Sequence, residues 1–196
     1  MACECCLSTA ILARTASAPR SEIAALLHSS RLATWSTSWI SMIGHSHQCW
    51  RQRNIGAIPI PQANRQGIEE YVALLQAADA LLLIYPTWWY GLPAMLKGWL
   101  DRVWVPGVAF RLSPGAIQPS LTNIHRIGVV TTYGSPNWLL WFIGWPDRRM
   151  IGRGLRRLCA QRCRLDWLGL TNIDNRTTAE RQAFLTKVQK RLGSWK

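Results

Sequence analysis

The stretch Tyr85-Pro86-Thr87-Trp88-Trp89-Tyr90-Gly91-Leu92-Pro93 decides how this chain folds. Immediately before its end, Ala80–Tyr85 is a continuous apolar run that Pro86 stops. A short run without polar alternation, bounded by a breaker, suits a strand covered on both faces, as in a parallel sheet. Immediately after it, Pro93 suits the first turn of a helix, where its missing N–H leaves nothing unpaired. Leu96, Trp99, Leu100, Val103 and Trp104 supply that helix with an apolar face, and Pro106-Gly107 ends it. Upstream, Ile68, Tyr71, Val72 and Leu75 recur at helical spacing. The order is therefore helix, buried strand, aromatic loop, helix.

The alternation continues downstream. Residues 117–123 read as a turn-rich, polar connection, and Ile127–Thr131 as a second buried strand broken by Tyr133-Gly134-Ser135-Pro136. Residues 137–158 are helical in character, interrupted around Gly144-Trp145-Pro146. Leu165–Leu170 suits a third strand. Thr177 or Thr178 is placed to cap a last helix in which Phe184, Leu185, Val188 and Leu192 face inward. Strands alternating with helices argue an α/β fold, a parallel sheet with helices on both faces. With no repeat or linker in view, residues 1–196 are expected to form one domain.

Composition narrows the class. At 48% hydrophobic residues over 196 positions, the chain is neither disordered nor collagen-like. Its longest apolar runs, Ala80–Tyr85 and Trp138–Trp145, fall far short of the roughly 18–20 residues that cross a bilayer. The opening residues lack the pattern of a secretory leader, so a cytoplasmic protein with reduced thiols is expected. Of the six cysteines, Cys159 and Cys163 form only a C-x₃-C pair, and no metal site is expected from it. The net charge of +13 concentrates in Arg148, Arg149, Arg153, Arg156, Arg157, Arg162 and Arg164. No nucleic-acid-binding motif accompanies them, so a solvated helix face is the expectation and a nucleic-acid partner is not, the alternative role being to hold the 2′-phosphate of NADPH.

In an open parallel sheet, ligands sit beyond the carboxyl ends of the strands. Trp88, Trp89 and Tyr90 follow such an end. Three consecutive aromatics cannot all point one way, so some should wall a flat ligand while others cap the core.

The run Pro86…Trp89-Tyr90…Pro93-Ala94-Met95-Leu96-Lys97-Gly98-Trp99-Leu100-Asp101-Arg102-Val103, followed by Gly107-Val108-Ala109-Phe110, resembles the flavodoxin-like NAD(P)H:quinone oxidoreductase family. That family includes bacterial drug-activity modulator and potassium-efflux ancillary proteins. The similarity covers about residues 65–192. It implies a flavodoxin-like three-layer sandwich with a central parallel sheet in the order 2-1-3-4-5. It also implies a flavin, FMN or FAD, reduced by NAD(P)H and reoxidised by a quinone or similar small acceptor. The implied flavin contacts are Pro86, Thr87, Trp88, Trp89 and Tyr90, with Thr131, Thr132, Tyr133 and Gly134 standing where the family carries Thr-Thr-Gly-Gly. Tyr133 is the one aromatic hydroxyl on that loop and hence the candidate catalytic residue. The Tyr and His that assist hydride transfer in animal quinone reductases have no counterpart here, and His125 reads as a surface residue. A homodimer is implied, with the helix beginning at Pro93 and the Trp138–Trp145 run contributing to its interface or to the pocket mouth. The alternatives are a non-catalytic ancillary protein that binds a membrane-transport partner, and an inactive product without a phosphate loop.

The first 58 residues depart from this pattern. They contain no Val, Asp, Phe, Tyr or Lys, and nine Ser lie between Ser8 and Ser46. Leu7–Ala13 and Thr34–Ile43 read as weak strands and Ser21–Leu32 as a helix. The family's His-Pro-x-x-x-Ser phosphate loop is missing, Ser17-Ala18-Pro19-Arg20-Ser21 being a faint echo of it. A shifted reading frame that resumes near Ile58 would produce this pattern.

Overall fold

A computed structural model describes residues 10–14, 39–41 and 67–195. Five strands form one sheet in the order β2-β1-β3-β6-β7: β1 (Ala10–Arg14), β2 (Trp39–Ser41), β3 (Ala80–Pro86), β6 (Arg126–Thr132) and β7 (Arg164–Leu170). A two-stranded hairpin of β4 (Phe110–Ser113) and β5 (Ala116–Pro119) stands apart from it. The helices are α1 (Glu69–Ala77), α2 (Ala94–Val103), α3 (Asn137–Ile143), α4 (Pro146–Arg149) and α5 (Thr178–Gly193). The expected order is present, with the hairpin inserted between α2 and β6.

The three layers follow from side-chain alternation. On β3, Leu81, Leu83 and Tyr85 turn to one face and pack with Val72 and Leu75 of α1 and Leu96, Trp99 and Val103 of α2. Ala80 and Leu82 turn to the other face and pack with Val188 and Leu192 of α5 and with Trp195. A strand buried on both faces needs apolar residues at every position, which is why the run has no polar alternation. β3 pairs with β6 in parallel, and β6 with β7 in parallel. Trp195 lies so close over Gly128 of β6 that an added Cβ would sit 2.5 Å from its ring.

α5 begins at a complete capping box: the Glu180 amide donates to the Thr177 hydroxyl, and the Thr177 amide to the Glu180 carboxylate. Near its other end, Arg191 Nε donates to buried Asp166 of β7 at 2.9 Å. That contact latches the helix to the sheet edge.

Three expectations are corrected. β1 runs antiparallel to β3, pairing Ala10 with Ile84 and Arg14 with Ala80, and β2 is antiparallel to β1, so only β3, β6 and β7 are parallel. The 117–123 segment is not wholly a connection, because Ala116–Pro119 pairs with Phe110–Ser113 around Pro114-Gly115. Proline followed by a glycine at φ +76° is the residue pattern of a type II turn, and that signal was present in the sequence. The Arg148–Arg164 stretch is not one helix face. After α4 it passes through a π turn (Met150–Gly154) and a 3₁₀ turn (Leu155–Leu158) before β7. The expected helix Ser21–Leu32 and the Ser17–Ser21 segment lie outside the described residues.

Candidate functional site

β3 and β6 end side by side, in register from Ala80 with Arg126 to Pro86 with Thr132. Thr87 extends the contact, donating from its amide at 3.0 Å and its hydroxyl at 2.9 Å to the Thr132 carbonyl. The aromatic loop and the 131–134 loop are thus neighbours at the carboxyl end of the parallel strands, as the sequence led us to expect.

The aromatic loop is a tight hairpin. The Trp88 amide donates to the Gly91 carbonyl at 3.1 Å, and the Gly91 amide to the Trp88 carbonyl at 2.9 Å. Between them Trp89 and Tyr90 both take left-handed backbone, φ 49° and 61°. Two successive residues at positive φ are the signature of a type I′ turn, which ordinarily recruits Asn-Gly. A bulky side chain there is an outlier that costs about 1–3 kcal/mol. Burial does not compensate at Trp89, which is 94% exposed, and Trp88 is 49% exposed. Neither tryptophan caps the core. Tyr90 is half-buried, with Ser135 Oγ at 3.5 Å from its hydroxyl.

Tyr133, expected as a flavin contact and candidate catalytic residue, does not lie at the rim. It is 1% exposed, and its hydroxyl donates to Asp147 Oδ2 at 2.8 Å. Tyr85, at the end of β3, makes a longer bond to the same oxygen, 3.4 Å. Asp147 is itself buried, and its other oxygen accepts from the Arg148 amide at 2.8 Å. Burial pushes the Asp147 carboxyl above the usual carboxylate range, partly offset by the hydrogen bonds from Tyr133 and the Arg148 amide. Burial first, and the Asp147 charge second, push both phenols upward. Both tyrosines therefore stay neutral donors to one acid. Trp145 packs edge-on against Tyr133 with centroids 5.5 Å apart. This cluster ties the end of β3, the loop after β6 and α4 together beneath the rim. No local sequence pattern could have announced it, since its members are brought together by the sheet.

Thr131 is buried as well, so the residues left at the rim are Pro86, Thr87, Trp88, Trp89, Tyr90, Thr132 and Gly134. Among the described residues, the Trp89, Tyr90, Gly134 and Ser135 amides donate to no protein group. A rim of open N–H donors flanked by exposed indoles can take the polar edge and the face of a flat heteroaromatic ring. His125 is exposed at the opposite end of β6, where its amide donates to the Asp79 carbonyl, which accords with a surface role.

Among the described residues no three side chains cluster as metal ligands, and Cys159 and Cys163 are buried free thiols. No helix of these residues is long and apolar enough to cross a membrane.

The Escherichia coli K12 protein described as an uncharacterized NAD(P)H oxidoreductase, YcaK, is 56% identical over 96 residues, covering 49% of this chain and 42% of that protein. Smu.1420 from Streptococcus mutans UA159 superposes with TM-score 0.62 at 27% identity, over 69% of this chain and 71% of that one. An NAD(P)H:quinone oxidoreductase from Methanothermobacter marburgensis superposes with TM-score 0.51 at 25% identity, over 65% of this chain and 62% of that one. The stretches matched in curated relatives span less than half of those proteins' own length. Residues 21–192 match the family described by its flavodoxin-like fold. Strand order, the two-faced core and that match agree, and the chain belongs to the flavodoxin-like-fold family.

Proposed function

We propose that this protein is a flavin-dependent NAD(P)H oxidoreductase that reduces quinones or related small acceptors by two-electron hydride transfer. The observation that carries the reading is the junction of the Trp88–Gly91 hairpin with the 131–134 loop, joined through Thr87 and Thr132 and edged by four open amides. Related proteins named as NAD(P)H oxidoreductases support the same chemistry.

A bound flavin, FMN or FAD, would supply the redox step, taking hydride from the nicotinamide and passing two electrons to the acceptor. The residues fit its ring. The Trp89 and Tyr90 amides and those of Gly134 and Ser135 would meet its polar edge, and Trp88 and Trp89 would shield its face from water. Tyr133 acts from below: its bond to Asp147 holds the loop whose amides face the ring, making it a positioning residue. Its raised phenol makes it a poor proton donor, which argues against the direct catalytic role first expected of it.

Reconstitution tests the proposal. Titration of the purified protein with FMN or FAD should saturate, shift the flavin absorption bands and yield quinone-dependent NAD(P)H oxidation. A protein that binds neither flavin would overturn it. We also expect a homodimer, because Trp138 and Phe142 are 69% and 78% exposed and lie four residues apart on one face of α3. Sedimentation giving a monomer at high concentration would refute that expectation.

A further inference from the structure

A depression of about 540 Å³ extends from Trp145 to Leu165 near the start of β7 and is lined by Trp141, Trp145, Arg148, Arg149, Arg153 and Arg156, with Gly144, Gly152 and Leu165. It lies at the break between α3 and α4, and one wall, Trp145, also packs on Tyr133. None of these four arginines is in an ion pair among the described residues, whose ion pairs involve Lys97, Arg126, Arg176 and Arg191. Residues 1–66 contain two acidic residues, Glu4 and Glu22, against these four arginines. Carboxylates of this chain are therefore too few to neutralise the cluster.

The backbone is shaped to gather these charges. Gly144 ends α3 in left-handed conformation, φ +87°, and its missing Cβ leaves the space that the Arg149 guanidinium occupies, 2.9 Å from where that carbon would stand. The π turn Met150–Gly154 then resets the helical phase, and Arg156 Nε donates to the Gly152 carbonyl at 3.1 Å. π turns of this kind recur at functional sites. Four guanidiniums around a concavity with two indole walls suit a ligand that combines phosphate groups with a flat base. The volume falls within the usual range of small-molecule pockets, about 300–1,000 Å³.

We propose that this depression binds the phosphorylated adenosine end of the nicotinamide donor, and does so best when a ribose phosphate adds charge. The inference rests on the oxidoreductase reading, since it names the part of the donor that docks outside the flavin site. The arginines take the phosphates, and Trp141 and Trp145 wall the adenine.

The test uses 2′,5′-ADP as a probe on the full-length protein, with or without flavin. Binding is followed by quenching of tryptophan fluorescence and by calorimetry at low ionic strength. Saturable binding is expected, weaker as salt rises, and weakened about tenfold or more in the double variant R149Q/R153Q. Inorganic pyrophosphate, lacking the base, should bind more weakly than 2′,5′-ADP. No saturable binding, or unchanged affinity in the double variant whose melting temperature matches the parent, would overturn the proposal. So would pyrophosphate binding as tightly as the nucleotide. A protein that binds flavin but not 2′,5′-ADP fails this inference alone, whereas one that binds 2′,5′-ADP but no flavin fails the oxidoreductase reading alone.

Discussion

Trp89→Asn separates what the aromatic hairpin contributes to stability from what it contributes to binding. Trp89 sits at φ 49° with 94% of its surface exposed, so its ring loses no packing when replaced. A left-handed backbone costs an ordinary residue roughly 1–2 kcal/mol, whereas Asn tolerates it by hydrogen bonding locally. Asn also avoids the extra unfolded-state entropy, about 0.5–1 kcal/mol, that Gly would bring. The exchange should therefore stabilise the fold by about 1 kcal/mol. In a domain of this size that raises the melting temperature by roughly 2–4 °C. Flavin affinity should move the other way, because the indole that shields the ring is gone. Thermal unfolding of the flavin-free protein reads the first effect, and flavin titration of the same preparations reads the second. A variant that melts lower than the parent would refute the strain argument. One that binds flavin as tightly as the parent would refute a role for Trp89 at the ring.

Other expectations follow from the buried contacts. Asp147 has a carboxyl raised by burial, so the folded protein holds its proton more tightly than the unfolded chain, and stability should fall as pH rises above the ordinary carboxylate range. Asp147→Asn should flatten that fall in urea unfolding measured across pH, whereas Asp147→Ala, which strands the Tyr85 and Tyr133 hydroxyls, should cost about 1–3 kcal/mol per hydroxyl. Gly128→Ala would drive a methyl into the Trp195 ring and Leu82 and should destabilise by about 1–3 kcal/mol, with a changed tryptophan emission spectrum. Asp166→Ala leaves Arg126 and Arg191 without their acid; because Arg191 is more than half exposed and water can take over its charge, the cost should be about 1–2 kcal/mol, with faster amide exchange in α5 than in β3.

Much of the fold from residue 67 onward was legible because its elements are built from contiguous signals. The unbroken apolar run of β3, the apolar face of α2 and the Thr177 cap of α5 each need only their own residues to be read. The site was legible in position but not in detail. That Trp88, Trp89 and Tyr90 lie beside Thr132 follows from parallel strands ending together. That Trp89 and Tyr90 are forced into left-handed backbone follows from closing a two-residue turn, and aromatic residues do not announce that. The burial of Tyr133 was missed because its partner, Asp147, is supplied by a helix beyond the break at Gly144 and Trp145. Pairing between distant segments leaves no periodic trace. The same holds for the direction of β1, since a weakly apolar pentapeptide such as Ala10–Arg14 fits a sheet either way.

That direction has a consequence for cofactor binding. In a parallel arrangement the chain leaves the first strand at the end where β3 and β6 finish, and the following helix can present its amides to a phosphate there. Here Arg14 pairs with Ala80 at the start of β3, so the chain leaves β1 at the far end of the sheet from Thr87 and Thr132. The end of β1 that meets the following chain is then not at the site, in keeping with the missing His-Pro loop in the sequence. Ring contacts should dominate flavin binding, and riboflavin should bind within about threefold of FMN, a difference below about 1 kcal/mol. Parallel titrations of the two flavins measure this directly. FMN binding tenfold or more tightly than riboflavin would show that a phosphate site exists at this end and would refute the argument from strand direction. The unusual composition of residues 1–58 adds a second arm. If the gene carries another frame that encodes a Val-rich strand and a His-Pro loop upstream of Ile58, the chain rebuilt in that frame should prefer FMN strongly. A gene without such a frame would refute the shifted-frame origin of the segment, and a rebuilt chain that still fails to distinguish the flavins would refute the link between strand direction and phosphate binding.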